Sequence, residues 1–306
     1  MKGKDFLSIK DIIPEEFIQL IHTAKDMKDH KTPQILEGKT AALIFEKPSL
    51  RTRVSFEVGI KQMGGTSIFL SNNEIGLGIR EPVSDVAKVL DRLVDLVVAR
   101  VYSHESLIAL SKNTTVPVIN ALSNTAHPCQ ALGDCLTIFE QKGTLEGLSL
   151  AFVGDGNNIA GSLALACAYS GMDFGIASPE KYQLKPEIWN EANKLANSNN
   201  TKMKWSSNIQ EIVSDADIVY TDVWISMGDE EEKEERLSTF SSYQVNEKVI
   251  SYAKSDCLFM HDMPAHRGEE ISENMLNHPN SVVYQQAENR LHAQKAVIRN
   301  IFESNH

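Results

Sequence analysis

Five consecutive residues, Ser49-Leu50-Arg51-Thr52-Arg53, bring two hydroxyls and two guanidinium groups together just after an apolar run. Such a group at the start of a helix can hold an anion. The first helical turn offers unpaired N–H donors and the positive end of the helix dipole, and a guanidinium meets phosphate oxygens as a planar fork. Charge-assisted hydrogen bonds of this kind contribute roughly 1.5–3 kcal/mol each. A plain helix cap with surface arginines would account for the same residues. The formal net charge of the chain is -11, so a local knot of cations is more informative here than in a basic protein.

His127-Pro128-Cys129-Gln130 opens a second candidate helix. A neutral imidazole there could donate to a carbonyl and stabilise the oxyanion formed on attack, an effect of about 2.7–4 kcal/mol for one well-placed donor. Arg100, at the end of an apolar strand, could serve the same oxygen. An ordinary cap is the plainer alternative for His127. Asp222-Val223-Trp224-Ile225-Ser226-Met227-Gly228 ends another strand, where a carboxylate and a hydroxyl suit an ammonium group such as an amino acid's α-amine. A cap and turn would use the same residues. His261-Asp262-Met263-Pro264-Ala265-His266-Arg267-Gly268 ends a further strand. Met263-Pro264 is a candidate cis peptide, and His266 and Arg267 serve structure as readily as function. Gly154-Asp155-Gly156-Asn157-Asn158 invites comparison with a dinucleotide loop. The position for the third glycine is Ile159, however, and the following strand ends in Ala177-Ser178 rather than an acid. Both mismatches argue against a nucleotide.

The elements that must position these residues alternate between strand and helix. Lys39–Phe45, Thr66–Leu70, Leu96–Val101 and Val116–Asn120 read as strands, with helices over Thr52–Met63, Asp85–Val94 and about Gln130–Gln141. A second series follows, with strands at Ser149–Val153, Asp173–Ala177, Met203–Ser206, Ile218–Thr221 and Leu258–His261. Its helices fall over Asn158–Ser170, Pro186–Asn197 and Asn208–Ser214. The expected fold class is α/β: two domains, each a mainly parallel sheet flanked by helices, with ligands bound beyond the carboxyl ends of the strands. The expected domains are residues 1–142 and 148–283, with a Gly-bearing hinge at Lys142–Gly147. The C-terminal helix, 284–303, is expected to pack back on the first domain beside an N-terminal helix at Pro14–Lys28. The acidic run Asp229–Glu235 reads as a solvated loop.

Bulk properties exclude several classes. There is no dense Lys/Arg run of the kind nucleic-acid binders use, and charged residues interrupt every long apolar stretch, so neither a membrane span nor a signal peptide is expected. The four cysteines form no CxxC pair and no zinc-type array with histidine. Four reduced thiols in the cytoplasm are the expectation.

With these motifs in this order, the chain resembles the aspartate/ornithine carbamoyltransferase family, and specifically its ornithine branch. Residues 45–57 (FEKPSLRTRVSFE) are similar to the family's carbamoyl-phosphate signature, and residues 127–134 (HPCQALGD) to its second signature. Residues 222–228 (DVWISMG) look like the ornithine-type loop. The resemblance runs nearly end to end. It implies that Ser49, Leu50, Arg51 and Thr52 hold the phosphate of carbamoyl phosphate, and that Arg100, His127, Gln130 and Arg290 hold its carbamoyl end. Met263 would touch the same substrate through its backbone. Asn158, Asp222, Ser226 and Met227 would hold L-ornithine, with Asp222 on the α-amine. The family uses no metal and no organic cofactor and forms trimers. The implied reaction is attack by the neutral δ-amine on the carbonyl carbon, giving citrulline and phosphate, with Arg100, His127 and Asp262 as catalytic residues. A sister enzyme with putrescine or an acylated ornithine as acceptor, and a silent binding homologue, are the alternatives. Two departures stand out. Relatives usually carry Cys where this chain has Asp262, for which a hydrogen bond accepted from the δ-amine is expected. Many carry Gln where it has Gly76.

Overall fold

The computed structural model describes residues 4–226, 228 and 230–303. They form two compact units, one running to Leu136 and resuming at Glu288, the other Thr137–Ala287. Lys142–Gly147 lies within the second unit.

In the first unit α1 (Pro14–Asp29) precedes β1 (Thr40–Phe45), α2 (Leu50–Gln62) and β2 (Thr66–Ser71). The short α3 (Asn72–Ile75) and α4 (Val83–Leu90) lead to β3 (Leu96–Arg100), α5 (His104–Lys112) and β4 (Val118–Leu122). The four strands are all parallel, in the order β2-β1-β3-β4. β1 and β3 are buried almost throughout, as strands covered on both faces must be, whereas β2 alternates as an edge. The chain leaves β1 towards one side of the sheet and returns to β3 on the other. The loops after β1 and β3 therefore flank a topological switch point, where open α/β sheets leave a crevice. Gly76 closes α3 in the left-handed region (φ 52°), and a Cβ there would sit 2.9 Å from that of Arg80. The turn favours glycine at this position.

The second unit repeats the device. α6 (Pro128–Lys142), whose residues up to Leu136 belong to the first unit, is followed by β5 (Ser149–Val153), α7 (Asn158–Ser170), β6 (Asp173–Ala177), α8 (Pro186–Ser198) and β7 (Met203–Ser206). Then come α9 (Ile209–Val213), β8 (Ile218–Thr221), α10 (Lys233–Phe240), α11 (Glu247–Ile250), β9 (Leu258–His261) and finally α12 (Val283–Phe302). Its five parallel strands run β7-β6-β5-β8-β9, so the switch point lies between β5 and β8.

The α/β fold with two parallel sheets is the one expected from the sequence. One expectation needs correcting: the acidic run is not simply a loop. Residues 230–232 form a 3-10 turn that enters α10. Arg236 of that helix is buried, reaching Asp155 (2.8 Å) and the Trp224 carbonyl (3.0 Å). The residues of α12 from Glu288 onward belong to the first unit. There Lys28 donates to Asn289 (2.7 Å), and the buried Lys295 donates to Thr32 (2.9 Å) and Gln62 (3.0 Å). The Met263-Pro264 bond is cis. All four cysteines are buried, and burial pushes the Cys129 thiol up to about 12, out of nucleophilic range. Among the described residues no helix is long and apolar enough to cross a membrane.

Candidate active site

The first unit gathers cations and neutral donors at its switch point. Ser49 caps α2, its hydroxyl accepting from the Thr52 N–H (3.3 Å) and donating to the Thr52 hydroxyl (3.0 Å). Arg290 Nη2 donates to that same Thr52 oxygen at 2.5 Å and approaches His127 Nε2 at 3.4 Å. Close approach is possible because residue 133 is glycine: a Cβ there would lie 3.3 Å from the Arg290 nitrogen. Thr52, Arg100, His127, Gln130 and Arg290 are all buried. Arg51 lies in the same first turn of α2, while Leu50 is 74% exposed. Arg53 turns outward, its guanidinium 3.7 Å from the centre of the Phe69 ring.

His127 owes its place to a loop held on both sides. Its carbonyl accepts from Gln130 and Ala131 and starts α6, whose first residue, Pro128, has no N–H to satisfy. Asn120 donates to the neighbouring Ala126 carbonyl (3.2 Å). Burial first, then the charges of Arg290 and Arg100, hold the imidazole well below its ordinary range, so it is neutral at working pH. An arginine can only donate, so Nε2 accepts from Arg290 and Nδ1 carries the proton. Gln130 donates to Asp134 at 2.7 Å.

The second unit gathers carboxylates instead. Asp222, just past β8, is buried and accepts from Val223 N–H and from Asn157 Nδ2, both at 2.7 Å. Asn157 also caps α7, its Oδ1 taking the N–H groups of Ile159 and Ala160. The residue on Asp222 is Asn157; Asn158, expected to hold ornithine, is the first residue of α7 and half-buried. Gly156 is obligatory beside it, because a Cβ would fall 2.3 Å from the Gln183 carbonyl carbon. Asp262, at the end of β9, presents its carboxylate to Asp222. Burial, then the charge and hydrogen bond of Asp262, raise the Asp222 carboxyl well above the usual carboxylate range. Ser226 is half-buried on the loop after β8, and Met227 lies outside the described residues.

Asp222, His261 and Asp262 bring possible metal-ligand atoms within 4.8 Å of one another, as do His266, Glu269 and Glu270. The first group lacks an imidazole lone pair to offer. His261 Nδ1 accepts from Met263 N–H (2.9 Å), and Nε2 faces Glu270 (3.1 Å). Glu270 and Asn157 were not singled out from sequence. Asn157 had a visible signal, an Asn at a helix cap; Glu270 had none.

Each half of the chain matches a family model. Residues 4–140 match the carbamoyl-P binding domain of aspartate/ornithine carbamoyltransferase, and residues 146–301 its Asp/Orn binding domain. This chain belongs to the aspartate/ornithine carbamoyltransferase family. It is 47% identical over 299 residues to the ornithine carbamoyltransferase of Bacillus subtilis, covering 98% of this chain and 94% of that one. The solved ornithine carbamoyltransferase of Pyrococcus furiosus superposes with a TM-score of 0.95 at 46% identity, covering 98% and 97%. That of Thermus thermophilus gives 0.90 at 39%, covering 99% and 100%. Set beside these matches, the cationic cluster falls in the carbamoyl-P domain apart from Arg290, which the second match includes, and the acidic cluster falls in the Asp/Orn domain.

Proposed function

We propose that this chain transfers the carbamoyl group of carbamoyl phosphate to the δ-amine of L-ornithine, forming citrulline and phosphate. The observation that carries the reading is the Thr52–Arg290–His127 knot in the first unit. In our reading Ser49, Arg51 and Thr52, with the backbone at Leu50, receive the phosphate. Arg100, His127, Gln130 and Arg290 receive the carbamoyl end, and Met263 contributes backbone. The neutral δ-amine attacks the carbonyl carbon, the C–O bond to phosphate breaks, and charge developing on the carbonyl oxygen meets Arg100 and the neutral His127. Positioning supplies much of the rest, up to about 7–11 kcal/mol in well-oriented cases. No covalent enzyme intermediate is needed.

The acceptor half favours a cation. Asp222 and Asp262 would repel the side-chain carboxylate of aspartate, whereas ornithine brings two ammonium groups and one carboxylate. A free amino acid suits Asp222 with Ser226, and we assign Asn158 and Met227 to the same ligand. Putrescine or an acylated ornithine remains the competing acceptor class.

We further propose that the enzyme acts in the cytoplasm, in the direction of arginine synthesis, as a homotrimer or a multiple of it. Leu50 (74% exposed), Val54 (47%) and Val58 (37%) recur every four residues and so share one face of α2, and Ile68 (50%) of the edge strand β2 is exposed as well. An exposed apolar helix face of this kind supports self-association. The test of function is citrulline formation by the purified protein from carbamoyl phosphate and ornithine. Transfer to putrescine well above ornithine would overturn the acceptor assignment.

A further inference from the structure

A buried carboxylate and imidazole stand behind the turn that carries Asp262. Glu270 and His261 are both fully buried (0%). Glu270 Oε1 lies 3.1 Å from His261 Nε2 and accepts the His266 N–H at 2.5 Å. On the other side of the ring, His261 Nδ1 accepts the Met263 N–H at 2.9 Å. A peptide N–H only donates, so Nδ1 carries a lone pair and the ring proton sits on Nε2, facing Glu270. The backbone N–H of His261 is itself held by Gln286 Oε1 at 2.9 Å. The imidazole is therefore fixed in place, orientation and tautomer.

What it grips is a strained turn. Met263 has φ 58°, a left-handed conformation that side-chain-bearing residues avoid unless their surroundings hold them there. Asp262 lies inside the gripped span, its Oδ1 3.6 Å from His261 Nδ1. Nδ1 carries no proton and offers that oxygen no hydrogen bond, and a carboxylate oxygen of Asp262 lies within 4.8 Å of one of Asp222. We propose that Glu270 is a positioning residue for carbamoyl transfer: through His261 it holds the Met263 N–H, and with it the turn that presents Asp262 to Asp222. This rests on the reading that Asp222 and Asp262 face the amine acceptor.

Two measurements on the intact enzyme test it. In [15N]histidine-labelled protein, two-bond proton–nitrogen correlations should show His261 with a protonated Nε2 and a bare Nδ1. The opposite tautomer, or an imidazolium, would overturn the proposal whether or not the enzyme turns over. In kinetics, Glu270→Leu removes the acceptor for Nε2–H. It should raise the KM for ornithine at least about tenfold, as misplacement of a positioned group does, and the KM for carbamoyl phosphate, which meets only the Met263 backbone of this turn, by clearly less. Glu270→Gln keeps an acceptor oxygen and should restore most of the loss. Equal effects on both substrates, or no difference between Leu and Gln, would contradict it. If Glu270→Leu does not fold, His261→Asn provides the second route. Its Oδ1 can still accept from Met263 N–H, but the link to Glu270 is gone, so by itself it should raise the KM for ornithine at least about tenfold. A change under about threefold would sink the idea. If the native enzyme makes no citrulline at all, the proposed function fails, while the His261 tautomer still judges the positioning role.

Discussion

Arg290 stands 238 positions along the chain from Thr52, yet donates to its hydroxyl at 2.5 Å. Arg290→Ala should lower kcat/KM by roughly two to three orders of magnitude if the arginine meets developing charge, the range seen for single oxyanion donors. Steady-state kinetics with carbamoyl phosphate as the varied substrate checks this; a change under about threefold would contradict the role. Asp262 yields a pH prediction. Because Asp222 titrates well above the usual carboxylate range, it loses its charge, and with it its attraction for ammonium, as pH falls through that raised value. Asp262→Cys removes the neighbouring charge but not the burial, so the rise in ornithine KM on acidification should move to lower pH without vanishing. An unmoved profile would refute the coupling. Most of these residues were legible in the sequence because each ends a strand or opens a helix beside polar chemistry. Glu270 was not, since its function comes only from the fold of the 262–271 segment around His261. Asn157 is disclosed only by cap geometry: the side chain that takes the first-turn N–H groups of α7 also reaches Asp222.

At the scale of elements, a single carboxylate can join a helix end to the loop that feeds a strand. Asp91, at the end of α4, accepts from Thr114 and Thr115 hydroxyls (2.8 Å each) and from the N–H groups of Thr115 (2.5 Å) and Val116 (3.3 Å). These bonds lower its pKa to about 2. Its contribution to stability is therefore present above the unfolded value of about 3.9 and is lost as pH falls through about 2. Asp91→Ala should lower the melting temperature at neutral pH, and the gap from the native protein should close on acidification into that window. A pH-independent gap would assign the loss to packing instead. Periodicity disclosed most strands, because β1, β3, β5 and β8 are apolar runs buried on both faces. It missed α10, because Lys233–Phe240 is mostly polar and its helix is secured by Arg236, whose partner Asp155 lies 81 positions away. No local pattern encodes a contact of that separation.

At the scale of the molecule, each sheet places candidate residues beyond the carboxyl ends of its strands, with Arg51, Thr52 and Arg100 beside one switch point and Asp222 beside the other, and the two clusters are opposite in charge. An acidic chain that concentrates arginine in one domain and paired carboxylates in the other is suited to one anionic and one cationic substrate. Val54→Glu with Val58→Glu should shift the solution mass by light scattering from about three times 34.0 kDa towards a single chain; an unchanged mass would remove the α2 face from the interface. The central claim is met most directly by an acceptor panel with purified enzyme and carbamoyl phosphate. Carbamoylation of L-ornithine to citrulline should exceed that of putrescine, acylated ornithine and aspartate by at least about a hundredfold in kcat/KM, as a site built on buried polar recognition discriminates. A better acceptor than ornithine, or tight binding of a bisubstrate analogue with no citrulline formed, would contradict it.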